Sequence, residues 1–354
     1  MLRRNFQTDI QIVDLLWINP AALGLAAGAE ANIKNLLADS GTNVVLIRAE
    51  SNFATTLADQ DPDRVRVIAI GEPGRRIKRE AWVLWLTLRA KLQRRHIFYT
   101  SWVPRLCASV LVLPIKCRVF VHDLNIWRAR IYDARFRQPS FPSRLHQYLS
   151  IKRANVVQCF ARSVARQLGL LRREPIPVGG QTVRILQPAP ARRPGHGAVI
   201  FLDDRSYKGT WLLGRLYSST AGFQLTVIGK IDPANEALLK SRGVAVRALR
   251  PSNKDKFNLL NEADYVIFAS KYEGFGLPPR EAAAVGTPSL IARRAALLDI
   301  PASLSLSVGR FGDRIDLTEV STLAAQIDGG ALKQWAAEYL GPVSTCWTRT
   351  APLQ

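Results

Sequence analysis

Residues 270–282 read Ser-Lys-Tyr-Glu-Gly-Phe-Gly-Leu-Pro-Pro-Arg-Glu-Ala, the stretch of the chain richest in groups that could do chemistry. A short apolar run, Tyr265–Phe268, leads into two glycines, Gly274 and Gly276, and then into the paired prolines Pro278 and Pro279. Proline suits the first turn of a helix, where a fixed φ and a missing N–H cost little. Strand, glycine loop and helix start together predict an anion site. Backbone amides at the glycines approach a ligand closely, and the helix N-terminus favours phosphate oxygens. Two carboxylates, Glu273 and Glu281, flank that site with seven residues between them. Carboxylates repel phosphate, so they suit the hydroxyl groups of a ribose or a sugar ring. An ordinary helix start would explain Glu281, since an acid in the first turn favours the macrodipole. It would not explain Glu273 together with both glycines.

This segment, followed by Val285-Gly286-Thr287-Pro288, resembles the signature of the group 1 (family 4) retaining glycosyltransferases. The resemblance implies an α/β GT-B fold, in which two Rossmann-like domains with parallel sheets face a central cleft. It implies that Glu273 contacts the transferred sugar and that Glu281 binds the donor ribose. The amides of Gly274, Phe275, Gly276 and Leu277 would meet the diphosphate or the sugar. Lys208-Gly209 resembles the family's Lys-Gly, whose lysine neutralises the donor diphosphate. A fixed cation there stabilises the charge that grows on the leaving phosphate. The family usually adds an arginine six residues earlier, in a Gly-Arg pair, but Phe201 and Leu202 stand there. Arg205 is the nearby candidate to replace it. Val119–Asp123 resembles the family strand that ends in a histidine beside the donor sugar, which makes His122 a candidate catalytic residue. Gly24 to Ala29 resembles the first glycine loop, with Gly28 as the donor-side residue. Asp203-Asp204 is adjacent rather than alternating, and no Asp-x-Asp pair stands at a strand end. No metal or other cofactor is therefore expected beyond the nucleotide-sugar donor.

The elements that must position these groups follow a regular rhythm. Apolar runs at 9–18, 44–47, 65–70, 97–100, 119–122 and 156–159 read as strands, with a helix over 30–40 between the first two. After a segment rich in proline and glycine (175–197), strands are predicted at 198–202, 224–228, 244–248, 265–268 and 288–292. Helices are predicted between them at 209–218, 235–242, 254–262 and 279–285. Strand, crossover helix, strand is the pattern of a parallel sheet covered on both faces. The domains are accordingly expected at 1–178 (acceptor), 179–334 (donor) and 335–354, the last a segment that by resemblance crosses back to the N-terminal domain.

Composition narrows the partners. The 354 residues exceed what one core usually serves. Lys and Arg number 49 against 28 acids, a net charge of +21, and residues 1–178 hold 28 basic and 13 acidic residues. Such a field favours an anionic partner. No zinc-finger or RNA-recognition pattern is present and the basic residues are dispersed, so nucleic acid is not expected. Four cysteines without metal-ligand spacing read as a reduced chain. Polar residues interrupt the N-terminal segment, and the longest apolar stretch, 107–115, is too short to span a bilayer. A cytoplasmic protein, peripheral on the inner membrane face, is expected. Residues 75–95 form a basic helix in which Trp82, Trp85, Leu86 and Leu92 are expected to share one side, suited either to an anionic membrane surface or to domain packing. Many enzymes of the resembled family act on polyprenyl-linked acceptors, so a glycan or polyprenyl-linked acceptor in bacterial polysaccharide assembly is the expected class. The 277–279 and His-Asp-Leu forms resemble those of mannosyl- and rhamnosyltransferases, which implies mannose from GDP-mannose. The alternatives are a catalytically inactive GT-B subunit and a basic polyanion-binding protein.

Overall fold

The structure, a computed structural model, describes residues 10–14, 43–49, 65–71, 74–93, 96–101, 105–121, 140–171, 194–202 and 207–339. The N-terminal half contains β1 (Ile10–Asp14), β2 (Asn43–Ala49), β3 (Val65–Ile70), α1 (Arg75–Leu92), β4 (Ile97–Ser101), α2 (Ala108–Val112), β5 (Lys116–Val121), α3 (Phe141–Arg153), β6 (Val156–Cys159) and α4 (Arg162–Gly169). All six strands are parallel, in the order β3-β2-β1-β4-β5-β6. Val44, Val45, Leu46 and Ile47 are consecutive and all fully buried, as strands covered on both faces require.

The C-terminal half contains β7 (Ala198–Phe201), a 3-10 turn (Thr210–Arg215), β8 (Leu216–Tyr217), β9 (Phe223–Ile228), α5 (Pro233–Ser241), β10 (Val244–Leu249), α6 (Asn253–Glu262), β11 (Tyr265–Phe268) and α7 (Leu277–Ala284). It continues with β12 (Ser289–Ile291), a 3-10 turn (Ala295–Asp299), β13 (Ser305–Ser307), β14 (Ile315–Asp316), α8 (Leu317–Ala324) and α9 (Gly329–Tyr339). Its main sheet is also parallel, in the order β10-β9-β7-β11-β12-β13. Strands β8 and β14 pair separately. Both halves thus repeat the doubly wound order, whose direction reverses between β1 and β4 and again between β7 and β11. Ligands of such sheets bind outside the strand carboxyl ends at these reversal points.

An apolar cluster joins the halves: Val13, Phe120 and Phe160 pack with Phe275, Ala283 and Leu332. Phe160 stacks on Phe120 at 5.8 Å and meets Phe275 edge-on at 6.4 Å. The Asp299 carboxylate accepts from the backbone N–H of Arg162 at 3.0 Å, at the start of α4, where the helix dipole favours an anion.

Two expectations change. Residues 209–218 form a short 3-10 turn and then β8, not a helix. Gly214 weakens helix propensity there, and Trp211 Nε1 donates to the Ala269 carbonyl at 2.7 Å, pinning the turn to the end of β11. Helix α9 (Gly329–Tyr339) includes residue 335, and residues 340–354 of the expected C-terminal segment lie outside the described residues. The face of α1 also differs. Its sheet side is the narrow stripe Val83, Leu86, Thr87 and Ala90, and Thr87 Oγ1 turns back onto the Val83 carbonyl at 2.8 Å. Leu86 is buried, but Trp85 and Leu92 point outward, with Ile77, Leu84 and Leu88 along the same stripe. The helix has apolar residues on two faces, and one of them is exposed. The helix expected over 30–40 and most of the 175–197 boundary segment lie outside the described residues. Among the described residues no helix is long and apolar enough to cross a membrane.

Candidate active site

The site lies at the carboxyl ends of β7 and β11, the reversal point of the C-terminal sheet. Two backbone contacts bring its halves together. Lys208 and Ser270 form an antiparallel bridge, and the Lys271 N–H donates to the Tyr207 carbonyl at 2.9 Å. Gly209 makes the turn that follows, with φ +99, and a Cβ there would meet the Phe201 carbonyl oxygen at 3.3 Å. The segments after the two strands therefore run side by side. Lys208 Nζ donates to Glu273 Oε1, both side chains being mostly shielded from solvent. A second pair closes the other side: Lys256 Nζ, from α6, donates to Glu281 Oε1 at 2.7 Å.

The glycine loop is buried from Gly274 to Gly276. Gly276 caps α7 with φ +74, and a Cβ would fall 2.7 Å from Leu297 Cδ2, so both backbone and space require glycine. The prolines remove two N–H groups from the first turn of α7. The amides left at the loop mouth are those of residues 274–277. The Phe275 ring packs toward the N-terminal half, so its side chain anchors the loop while its backbone lines it.

Arg280 explains how the loop holds its shape. It is fully buried. Its Nε donates to the Phe275 carbonyl at 2.9 Å and its Nη2 to the Ala296 carbonyl at 3.2 Å, with Asp299 Oδ2 at 3.9 Å. The guanidinium lies 4.3 Å from the Phe275 ring centroid and 5.4 Å from that of Trp335. Loop, 3-10 turn and α9 thus meet on one side chain. Asp299 in turn caps α4, so the loop is braced against the N-terminal half.

Of the residues singled out in the sequence, Lys208, Glu273, Glu281, Gly274, Phe275, Gly276 and Leu277 converge here. His122, Arg205 and Gly28 lie outside the described residues, although β5 ends at Val121, immediately before His122. Lys256 and Arg280 were not anticipated. Lys256 reads as one more lysine on a helix surface, 25 positions before Glu281. Arg280 occupies a position that the motif leaves open, and only its place beside the two prolines hinted at burial.

Residues 215–301 match the model of a family described as Family 4 Glycosyltransferase in conflict systems. No curated protein matches the sequence. The fold is similar to that of a glycosyltransferase from Rickettsia africae, at 12% identity and a TM-score of 0.60, over 96% of this chain and 94% of that one. It is also similar to the lipopolysaccharide outer core galactosyltransferase WaaB, at 12% identity and a TM-score of 0.63, over 96% and 98%. Anabaena HepE, solved with UDP and glucose, aligns at 14% identity and a TM-score of 0.60, over 96% and 97%. The architecture is the GT-B fold. The family match spans residues 215–301 of the 354, and the solved structures, at 12–14% identity, share the fold.

Proposed function

We propose that the protein transfers a hexose, with retention, from a nucleoside diphosphate sugar to an acceptor bound between the two halves. The observation that carries this reading is the pair of lysine–glutamate contacts, Lys208 with Glu273 and Lys256 with Glu281, on either side of the glycine loop at the reversal point of the C-terminal sheet. Glu281 holds the ribose hydroxyls and Glu273 the hydroxyls of the transferred sugar. When the bond from the anomeric carbon to the phosphate oxygen breaks, its electron pair stays on the diphosphate. Lys208 and the amides of residues 274–277 stabilise that charge without a metal. The leaving phosphate accepts the proton of the acceptor hydroxyl, whose oxygen bonds the anomeric carbon on the same face. His122 contacts the sugar from the N-terminal side. Mannose from GDP-mannose is the donor to test first, with a glycan or polyprenyl-linked acceptor in polysaccharide assembly. Incubation with GDP-mannose, UDP-glucose, UDP-galactose and dTDP-rhamnose should release nucleoside diphosphate from one of them. Release from none would favour an inactive subunit or a polyanion-binding protein.

The surface of the N-terminal half suits an anionic membrane face. Helices α1, α2 and α3 pack in one layer. The exposed stripe on α1 is Ile77, Leu84, Trp85, Leu88 and Leu92, and that on α3 is Phe141, Leu145 and Leu149. The exposed Lys78 and Lys91 border the first stripe. Each basic group near an anionic leaflet contributes about 1 kcal/mol. The protein is expected to float with phosphatidylglycerol vesicles at low salt, and less so when Leu88→Asp and Leu92→Asp are combined. Protein that stays at the bottom of the gradient would contradict the membrane placement.

A further inference from the structure

The N-terminal half carries its own cavity, of about 250 Å³, at the corresponding edge of its sheet. It is lined by Arg76, Arg79, Arg105, His146, Ser140 and Ser143. The topology locates it. Helix α1 begins after the carboxyl end of β3, Arg105 follows that of β4, and α3 begins beyond that of β5. At its floor, Arg79 Nη1 lies 3.4 Å from Asp14 Oδ2, and Asp14 also accepts from the Tyr99 hydroxyl. Asp14 and Tyr99 belong to β1 and β4, the strands on either side of the reversal point. The cavity therefore lies at the strand carboxyl ends near the reversal point, where a doubly wound sheet takes a ligand, and every residue lining it belongs to the N-terminal half.

Its lining is cationic. Among the described residues Glu80 is the one acid in that lining, and its carboxylate accepts from the Ala108 N–H at 3.0 Å, from the Ser109 N–H at 3.4 Å and from Arg79 Nη2 at 3.4 Å, so it serves α2 and Arg79 and leaves Arg76 and Arg105 to set the sign of the cavity mouth. Arg105 Nη2 donates to Ser143 Oγ at 3.4 Å, which holds the guanidinium at the start of α3. Burial, and then repulsion from Arg76 and Arg79, lower the Arg105 pKa. His146 is lowered chiefly by burial, against its bond to the Leu106 carbonyl, with Arg79 and Arg105 adding repulsion. Cations that repel one another in a concave site are stabilised when an anion enters. The start of α3 adds to this field, since Ser140 makes no side-chain capping bond and the first turn holds no acid.

We propose that this cavity binds a phosphate group carried by the acceptor, so that the acceptor is a phosphorylated or diphosphate-linked molecule. The assignment rests on the glycosyltransferase reading for the word acceptor; the phosphate site itself does not. Arg76 and Arg105 grip the phosphate oxygens, Ser140 and Ser143 donate to them, and the rest of the acceptor extends into the cleft toward the donor sugar.

Calorimetric titration of the full chain with inorganic phosphate tests the site, with Lys208→Ala included to remove the donor-side phosphate contact. Lys208→Ala should keep a phosphate site, and in that background Arg105→Gln and Arg76→Gln should each weaken binding about fivefold or more. The exposed Arg76 protects the test should Arg105→Gln fold poorly. Titration with farnesyl phosphate and with glucose 1-phosphate separates the sources. If either binds more tightly than inorganic phosphate, and loses that binding in Arg105→Gln, the site is supported and the acceptor class is named as lipid-linked or soluble. Phosphate binding that survives both arginine substitutions, or that disappears in Lys208→Ala, overturns the proposal. A nucleotide-binding failure accompanied by arginine-dependent phosphate binding would sink the transferase reading and leave this site standing.

Discussion

Replacing Lys208 with Ala should lower kcat for sugar transfer about 10²–10³-fold, the loss that follows removal of one fixed donor aimed at developing charge. The argument is geometric. Lys208 is fastened by a backbone bridge to Ser270, so its ammonium is held at the loop where the diphosphate would lie. Its present partner, Glu273, would turn to the sugar hydroxyls when a donor enters. Because the leaving phosphate carries more charge in the transition state than in the ground state, KM should change much less than kcat. Glu273→Gln should separate the two roles. It keeps a hydrogen-bonding group toward the sugar while removing the carboxylate that Lys208 now contacts, so nucleotide binding should persist while turnover falls. Steady-state kinetics on the donor that turns over checks both. A Lys208→Ala enzyme with unchanged kcat would remove this residue from the chemistry.

Arg280→Ala should be the most destabilising single change in the C-terminal half, by about 3–5 kcal/mol, as when one partner of a buried ion pair is removed. The side chain is fully buried, and its loss strands the Phe275 and Ala296 carbonyls and leaves Asp299, itself almost buried, without this cation. Arg280→Lys keeps the charge but cannot span both carbonyls, and should fall between wild type and Ala. Urea unfolding followed by tryptophan fluorescence measures the difference. A loss below about 1 kcal/mol would mean that the loop holds its shape by other means.

Much of this was legible because parallel strands buried on both faces are short continuous apolar runs. Val65–Ile70, Val156–Cys159 and Tyr265–Phe268 coincide with the observed strands for that reason. The polar, three-residue edge strand Ser305–Ser307 carries no such signal. Helix α1 misled because it has two apolar stripes, and periodicity alone does not say which one the sheet takes. In this case the smaller side chains went inward, where the sheet lies close. The convergence of the glycine loop with Glu273 and Glu281 was readable because glycine, proline and glutamate each answer a separate physical demand. Arg280 and Lys256 were not readable, because their importance arises from neighbours brought in by tertiary folding: Ala296 and Asp299 for the first, Glu281 for the second. The phosphate cavity was hidden for the same reason, since Arg76, Arg105 and His146 lie on three separate elements.

Glu281 and Lys208 are expected to form one wall of a nucleotide-sugar site. A thermal-shift panel of GDP, UDP, dTDP and their common sugar conjugates, run on wild type and Glu281→Ala, tests it most directly. Selective stabilisation by one nucleotide series, absent in the variant, is the predicted result and names the base. Stabilisation by none of them, or equal stabilisation of wild type and Glu281→Ala, would contradict it.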